Sequence, residues 1–407
     1  MTSSTPRHRP DLVIRAASIP RPDGPEQVDV AIAAGRIVAV QRTGNQLQAA
    51  DAPVIEAGVP VIEADGAVIS PGLIDLHLHG GFGTSFGDGD PDGIAVLTEN
   101  LARRGISTVQ ASLVSATTEQ LDAMITAISG AVGSRPGRAT IAGIHLEGPF
   151  LSQDQAGAHD PAALRSPTAA DLELIAAEAD PLTMITLAPE LPGVPELISR
   201  CSELGIVAAI GHSNGDQDDF DAGVAAGASH VTHLWSGQST FTRRGPWRVP
   251  GILEASLASG LTAEIIADGK HLPPTLLELA RRSVADRLVV VSDATPGAGM
   301  PEGYRYPLGT VHCRVQDGVG MVDGQQVFGG STTLLDEMLR LLVQDLGWPL
   351  HEVLAMMTST PAAVLGRSDL GVISPGACAD LVLWNPDLTV REVIIGGRRL
   401  GRDDQPR

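Results

Sequence analysis

The chain has 407 residues, 43% of them apolar, and a formal net charge of −20. That length exceeds one ordinary core, so a large domain with a smaller companion is expected. The acidic balance argues against nucleic acid or an anionic membrane as partner, and an anionic substrate would need a local basic cluster.

The opening residues 1–11 are polar and carry no apolar signal core, and no stretch is long and apolar enough to span a bilayer. Cys201, Cys313 and Cys378 stand far apart, without metal or disulfide spacing, so a reduced, cytoplasmic setting fits. Residues 28–32 and 36–40 alternate around Gly35 as a strand pair, and 61–64 and 67–69 continue the pattern. The far end, 379–384 and 390–395, reads the same way. The two ends are therefore expected to build one small β-sandwich domain from residues 1–70 and 368–407.

Between them, over 71–367, the pattern becomes strand then helix, repeated. Short apolar strands are predicted within 71–79 and at 105–111, 141–146, 184–187, 206–210, 229–232, 262–266 and 288–292. Helical segments such as 92–104, 119–131, 195–204 and 275–284 intervene. Eight such units predict an α/β fold, a TIM-like (β/α)8 barrel, whose chemistry sits at the C-terminal strand ends.

Those ends carry an unusual set of side chains. Strand 1 finishes in His77 and His79, which share one face because a strand repeats every two residues. Strand 3 runs into Glu147, strand 5 into His212, strand 6 into His233 and strand 8 into Asp293. Six nitrogen and oxygen donors at one mouth suit one or two divalent ions. Glu147 has two oxygens and would bridge, with His212 and His233 on one side and His77, His79 and Asp293 on the other. His8, His145, His230, His312 and His351 are read as surface or core histidines; for His145, two residues before Glu147, a supporting role behind the ligands is the alternative not chosen. Gly329-Gly330-Ser331 is read as the cap of the following helix.

With these residues in view, the chain resembles the amidohydrolase superfamily and, within it, the N-acetylglucosamine-6-phosphate deacetylase family. The motifs are Pro-Gly-Leu-Ile-Asp-Leu-His-Leu-His-Gly-Gly (71–81), His-Leu-Glu-Gly-Pro-Phe (145–150), Gly-His-Ser-Asn (211–214), Thr-His-Leu-Trp (232–235), Ala-Asp-Gly-Lys-His (267–271) and Val-Ser-Asp-Ala (291–294). The endings Thr-Pro-Ala-Ala (360–363) and 371–382 are also family-like. Relatives such as dihydroorotases and hydantoinases bridge two metals with a carboxylated lysine. Here the single Lys270 lies past strand 7, out of register, and Glu147 takes the bridging position. Some deacetylases replace the first histidine pair and keep one metal, whereas this chain retains both histidines. Zinc comes first among the ions that fit, with iron, manganese and cobalt also tolerated by such donors.

The resemblance further implies that His159 lies near the scissile amide, that His271 lies near the sugar, and that Arg244 reaches a substrate phosphate across a homodimer interface. The family usually has Asn-Ala-Met after Thr-His-Leu-aromatic, where this chain has Ser236-Gly237-Gln238. Ser236 and the Gly237 amide then become the substrate contacts at that point. The implied reaction is hydrolysis of the N-acetyl amide of a small amino sugar phosphate, N-acetylglucosamine 6-phosphate. The metal would activate water and polarise the carbonyl, His159 would stabilise the oxyanion, and Asp293 would carry the proton to the amine. A deacylase of another N-acyl amino sugar, phosphorylated or not, is the alternative. A non-catalytic binding protein on the same barrel should have lost donors, and all six are present.

Overall fold

The computed structural model describes residues 9–43 and 58–401. His8, residues 44–57 and the two ends of the small domain expected from the sequence, 1–8 and 402–407, lie outside these residues.

Eight parallel strands form the central sheet: β1 (Leu73–Leu78), β2 (Ile106–Val114), β3 (Thr140–Glu147), β4 (Leu182–Leu187), β5 (Val207–Ile210), β6 (His230–Val231), β7 (Thr262–Ile266) and β8 (Leu288–Val291). They hydrogen-bond in sequence order, β1 to β8. A parallel bridge between Leu78 and Ala294 joins the first strand to the last and closes the barrel. The strands read as near-continuous apolar runs because helices cover one face and packed side chains the other. All six residues of β1 and all four of β8 are buried.

The helices begin where the sequence supplies caps. Asp90 accepts from the amides of Asp92 and Gly93 at the start of Pro91–Arg103. Thr117 and Gln120 form a reciprocal capping box before Thr118–Ser129. Thr168 and Asp171 do the same before Ala169–Ala177.

The two chain ends meet in a second, eight-stranded sheet. Its order is Arg398–Arg399, Val390–Ile395, Leu381–Trp384, Val68–Pro71, Leu12–Ile19, Glu26–Ala33 and Arg36–Arg42, with Val61–Glu63 beside Leu12–Ile19. The strand at Arg36 reaches back to bridge Cys378, so the sheet curls around its own core of Ile14, Val30, Ile37, Ile69, Leu381 and Ile394. Pro71 ends one sheet and Leu73 starts the other, so pairing of Leu381 with Pro71 sets where β1 enters the barrel.

A three-stranded antiparallel sheet after β8, Arg305–Leu308, Val311–Gln316 and Val319–Val322, was not foreseen. Its core of Tyr306, Leu308, Cys313, Val315 and Val322 leans on Val114, Ala158 and Val327 at the barrel mouth. Its signal in the sequence was Asp317-Gly318 between alternating runs. Both residues have positive φ, 54° and 71°, as the favoured two-residue hairpin turn requires. Gly329-Gly330-Ser331 also departs from expectation. The next helix starts at Leu335 with Leu334 as its cap. The glycines instead let this segment press on the end of β8. A Cβ on Gly330 would stand 2.7 Å from the Asp293 carbonyl oxygen, and its φ is +73°.

Candidate active site

The strand ends bring the six donors expected from the sequence into one cluster. Glu147 is the last residue of β3 and only 3% exposed. Its Oε1 faces His233 Nε2 at 2.8 Å and His212 Nε2 at 3.0 Å. Its Oε2 faces His79 Nε2 at 3.1 Å, His159 Nε2 at 3.2 Å and His77 Nε2 at 3.5 Å. Asp293 Oδ1 lies 3.4 Å from His79 Nε2 and 3.6 Å from His77 Nε2. The two carboxylate oxygens of Glu147 thus look toward two different donor groups.

Hydrogen bonds at the far side of each ring indicate which nitrogen faces inward. His79 Nδ1 meets the Ser112 carbonyl at 3.2 Å, and His212 Nδ1 meets the Gln155 carbonyl at 2.7 Å. A carbonyl only accepts, so both Nδ1 atoms carry a proton, and each ring in its neutral form presents the Nε2 lone pair inward. His77 Nδ1 meets the Glu264 carboxylate at 3.2 Å, with the same consequence. Yet His77 Nε2 and His79 Nε2 stand only 3.2 Å apart. Lone pairs and carboxylate oxygens converge on one buried space, and a shared cation reconciles them.

Charge shifts follow the same geometry. Burial favours the neutral acid of Glu147, but His77 and His159 outweigh it and hold the carboxyl well below its usual range. Burial likewise works against the charged forms of His77, His79 and His212, yet Glu147 and neighbouring acceptors draw all three above the ordinary imidazole range. The cluster attracts positive charge. Burial lowers His159 despite Glu147, which keeps that ring neutral. Asp293 is held low, because His79 and His77 outweigh its burial.

Backbone conformation aims several of these groups. His212, Trp235 and Asp293 have φ of 45°, 71° and 48°, a left-handed region that non-glycine residues seldom enter. Asp293 is pinned there by hydrogen bonds from its amide to the His77 carbonyl and from the Ser331 amide to its own carbonyl, both 2.8 Å.

The donors open into a cavity of about 310 Å³, also lined by Ser236, Gly237, His271, Trp235 and Phe328. His271 is oriented by Asp268, which meets its Nδ1 at 2.7 Å, and its ring packs on Phe328 at 4.6 Å. Gly237 lies so close to His212 that a Cβ would stand 2.6 Å from Nδ1. Gln238 spans the turn that carries His233. Its Oε1 accepts from the Trp235 amide and its Nε2 donates to the Thr232 carbonyl, each at 3.1 Å.

Arg244 is not brought to this cavity within one chain. It sits on the exposed hairpin Thr242–Arg244 and Trp247–Val249, 71% exposed and paired with Asp216 at 2.7 Å. Lys270 is exposed past β7. No lysine or arginine lines the cavity among the described residues.

Sequence reasoning missed three contributors. Glu264, fully buried on β7, touches His77, His230 and the His233 amide. Phe328 forms a wall of the cavity. His145 lies inside a polar chain, its Nδ1 3.0 Å from Ser112 Oγ and its Nε2 2.8 Å from Thr186 Oγ1, which meets Thr232 Oγ1 at 2.8 Å. His312 is exposed and His351 half-buried, as read.

Residues 68–400 match the amidohydrolase family. N-acetylglucosamine-6-phosphate deacetylase of Danio rerio is 32% identical over 350 residues, covering 84% of this chain and 86% of that protein. N-acetylgalactosamine-6-phosphate deacetylase of Escherichia coli O157:H7 is 31% identical over 360 residues, covering 87% and 94%. Among solved structures, a mutant of N-acetyl-D-glucosamine-6-phosphate deacetylase from Mycobacterium smegmatis, in complex with N-acetyl-D-glucosamine-6-phosphate, is similar with a TM-score of 0.83. It is 30% identical, and the likeness covers 96% of this chain and 99% of that one.

Proposed function

The chain belongs to the amidohydrolase family, on the branch of the N-acetylglucosamine-6-phosphate deacetylases, and from that premise we propose that it hydrolyses the N-acetyl amide of N-acetylglucosamine 6-phosphate to glucosamine 6-phosphate and acetate. The observation that carries the reading is the donor set around Glu147, whose lone pairs converge in a cavity large enough for a small ligand.

A divalent ion held by His77, His79, Glu147, His212, His233 and Asp293 would polarise the acetyl carbonyl and make water acidic enough to attack. Zinc suits the imidazole and carboxylate donors best, in one or two copies. The remaining chemistry belongs to the chain's own residues. The Ser115 amide donates to His159 Nδ1 at 3.3 Å, so the proton of this neutral ring is on Nε2. That N–H faces the centre and donates to the acetyl oxygen as negative charge develops. Asp293, ionised and beside His79, takes a proton from water and returns it to the departing amine. His271, held by Asp268, offers Nε2 to a sugar hydroxyl, while Trp235 and Phe328 give the ring apolar surface.

The phosphate is held by Ser236, the Gly237 amide and Arg244 from a second copy of the chain. Support for this homodimer is the absence of cationic side chains lining the cavity among the described residues. Phe241 and Trp247, 56% and 74% exposed beside Arg244, give that hairpin an apolar surface to bury. The setting in this reading is cytoplasmic, in keeping with three free thiols.

A galacto-configured substrate is the second reading, favoured by the Escherichia coli relative of that specificity. Acetate release from N-acetylglucosamine 6-phosphate, its galacto epimer and plain N-acetylglucosamine decides the matter. The gluco phosphate should give the highest kcat/KM. Faster turnover of the epimer would establish the second reading, and no acetate from any of the three would overturn both.

A further inference from the structure

β7 reads Thr-Ala-Glu-Ile-Ile, and its one charged residue points into the barrel rather than toward water. Glu264 is fully buried, and both carboxylate oxygens are engaged. Oε2 faces His77 Nδ1 at 3.2 Å and accepts from the His233 amide at 3.2 Å. Oε1 faces His230 Nε2 at 3.0 Å, and His230 is braced at its other nitrogen by Thr262 Oγ1 at 2.6 Å. The Glu264 carbonyl also accepts from the Leu234 amide at 2.8 Å.

One residue therefore grips a candidate ligand from each side of Glu147. It holds the ring of His77 and the main chain of His233. His79 and His212 are oriented by neutral carbonyls, which suffice to fix a tautomer. A buried carboxylate is expensive to desolvate, so one placed behind His77 does more than orient a ring. Its charge strengthens the hydrogen bond and makes the opposite nitrogen a better donor to a cation. His233 has no partner at Nδ1 among the described residues, so the grip on its amide is what Glu264 adds there.

We infer that Glu264 is a positioning residue for the cation site, fixing the His77 lone pair on the centre and tying the His233 turn to the same anchor. The inference rests on the metal-centre reading above. Its test is zinc titration of the full-length chain stripped of metal, followed by calorimetry, for wild type and Glu264→Gln. The amide can keep one acceptor oxygen toward His77 and the His233 amide and turn its N–H toward His230, so the variant removes the negative charge behind His77 while the shape is retained. Zinc affinity should fall about ten- to a hundredfold. The visible spectrum of the cobalt-loaded variant should also shift, which a distant packing defect would not cause.

Equal zinc affinity and an unchanged cobalt spectrum in folded Glu264→Gln would overturn the inference. Should that variant fail to fold, Glu264→Asp keeps the charge but withdraws it from His77. Reduced affinity there supports the inference, and wild-type affinity overturns it. A wild-type chain that binds no zinc would remove the metal-centre reading itself, so the two failures are distinct.

Discussion

His159 gives the sharpest separation of chemistry from metal binding. Its Nε2 lies 3.2 Å from Glu147 Oε2, close enough for the ring to be either a metal ligand or an oxyanion donor. The Ser115 amide at Nδ1 favours the donor, because it leaves the proton on Nε2. His159→Asn tests this. The Asn Oδ1 overlays Nδ1 and can still accept from Ser115, so the loop keeps its hydrogen bond, but nothing replaces the Nε2 proton. Loss of one oxyanion donor costs about 2.7–4 kcal/mol of transition-state stabilisation, or roughly 10²–10³ in kcat. KM should move little, since the donor acts on charge that is absent from the ground state. Metal per chain should stay at the wild-type value. His159→Gln places an amide N–H near the former Nε2 and should recover part of the loss. The assay is acetate release together with metal analysis of both variants. Metal lost from His159→Asn in proportion to activity would refute the donor role and make His159 a ligand.

Three further outcomes are expected. Asp293→Asn keeps an oxygen for the centre but cannot carry a proton, so turnover should drop about 10²- to 10⁴-fold with metal at least partly retained; near-wild-type turnover would exclude it as the proton carrier. Arg244→Ala should lower kcat/KM for the phosphorylated sugar about ten- to a hundredfold, mostly through KM, and leave the unphosphorylated sugar unchanged; equal loss on both sugars would place Arg244 in the fold instead. Asp171 tests stability: Arg165 meets its two oxygens at 2.8 and 2.7 Å. Burial pushes this carboxyl up, but Thr168, Thr118 and Arg165 together hold it below its usual value. Its contribution is therefore complete above the unfolded carboxyl value near ~3.9 and is lost as pH falls through the lower folded value. Asp171→Asn should lose about 1.5–3 kcal/mol in urea unfolding at pH 7, with the gap to wild type closing in acid; a gap independent of pH would contradict this.

Much of the barrel was legible because its signals are local. The run of 71–79 shows both a buried strand and a histidine pair on one face, and β1 forms at Leu73–Leu78. Strand-helix repetition gave the eight strands, although β2 continues to Val114, past the expected end at 111. That extension matters, since Ser112 orients His79 and His145, and Val114 lines the cavity. The left-handed backbone at His212 and Asp293 was not legible, because nothing but glycine announces it. Glu264 was legible in principle: a single acid in an otherwise apolar strand needs a partner. The three-stranded sheet was overlooked although Asp317-Gly318 marks its turn. Arg244 could not be placed, since one chain leaves it 71% exposed and paired with Asp216.

The proposed activity depends most on a cation held by the donors around Glu147. Acetate release from N-acetylglucosamine 6-phosphate should therefore be followed on the purified chain before chelation, after chelation, and after zinc is returned. Release is expected in the first state, its loss in the second, and its recovery in the third. Release that persists in the verified metal-free protein would contradict that dependence.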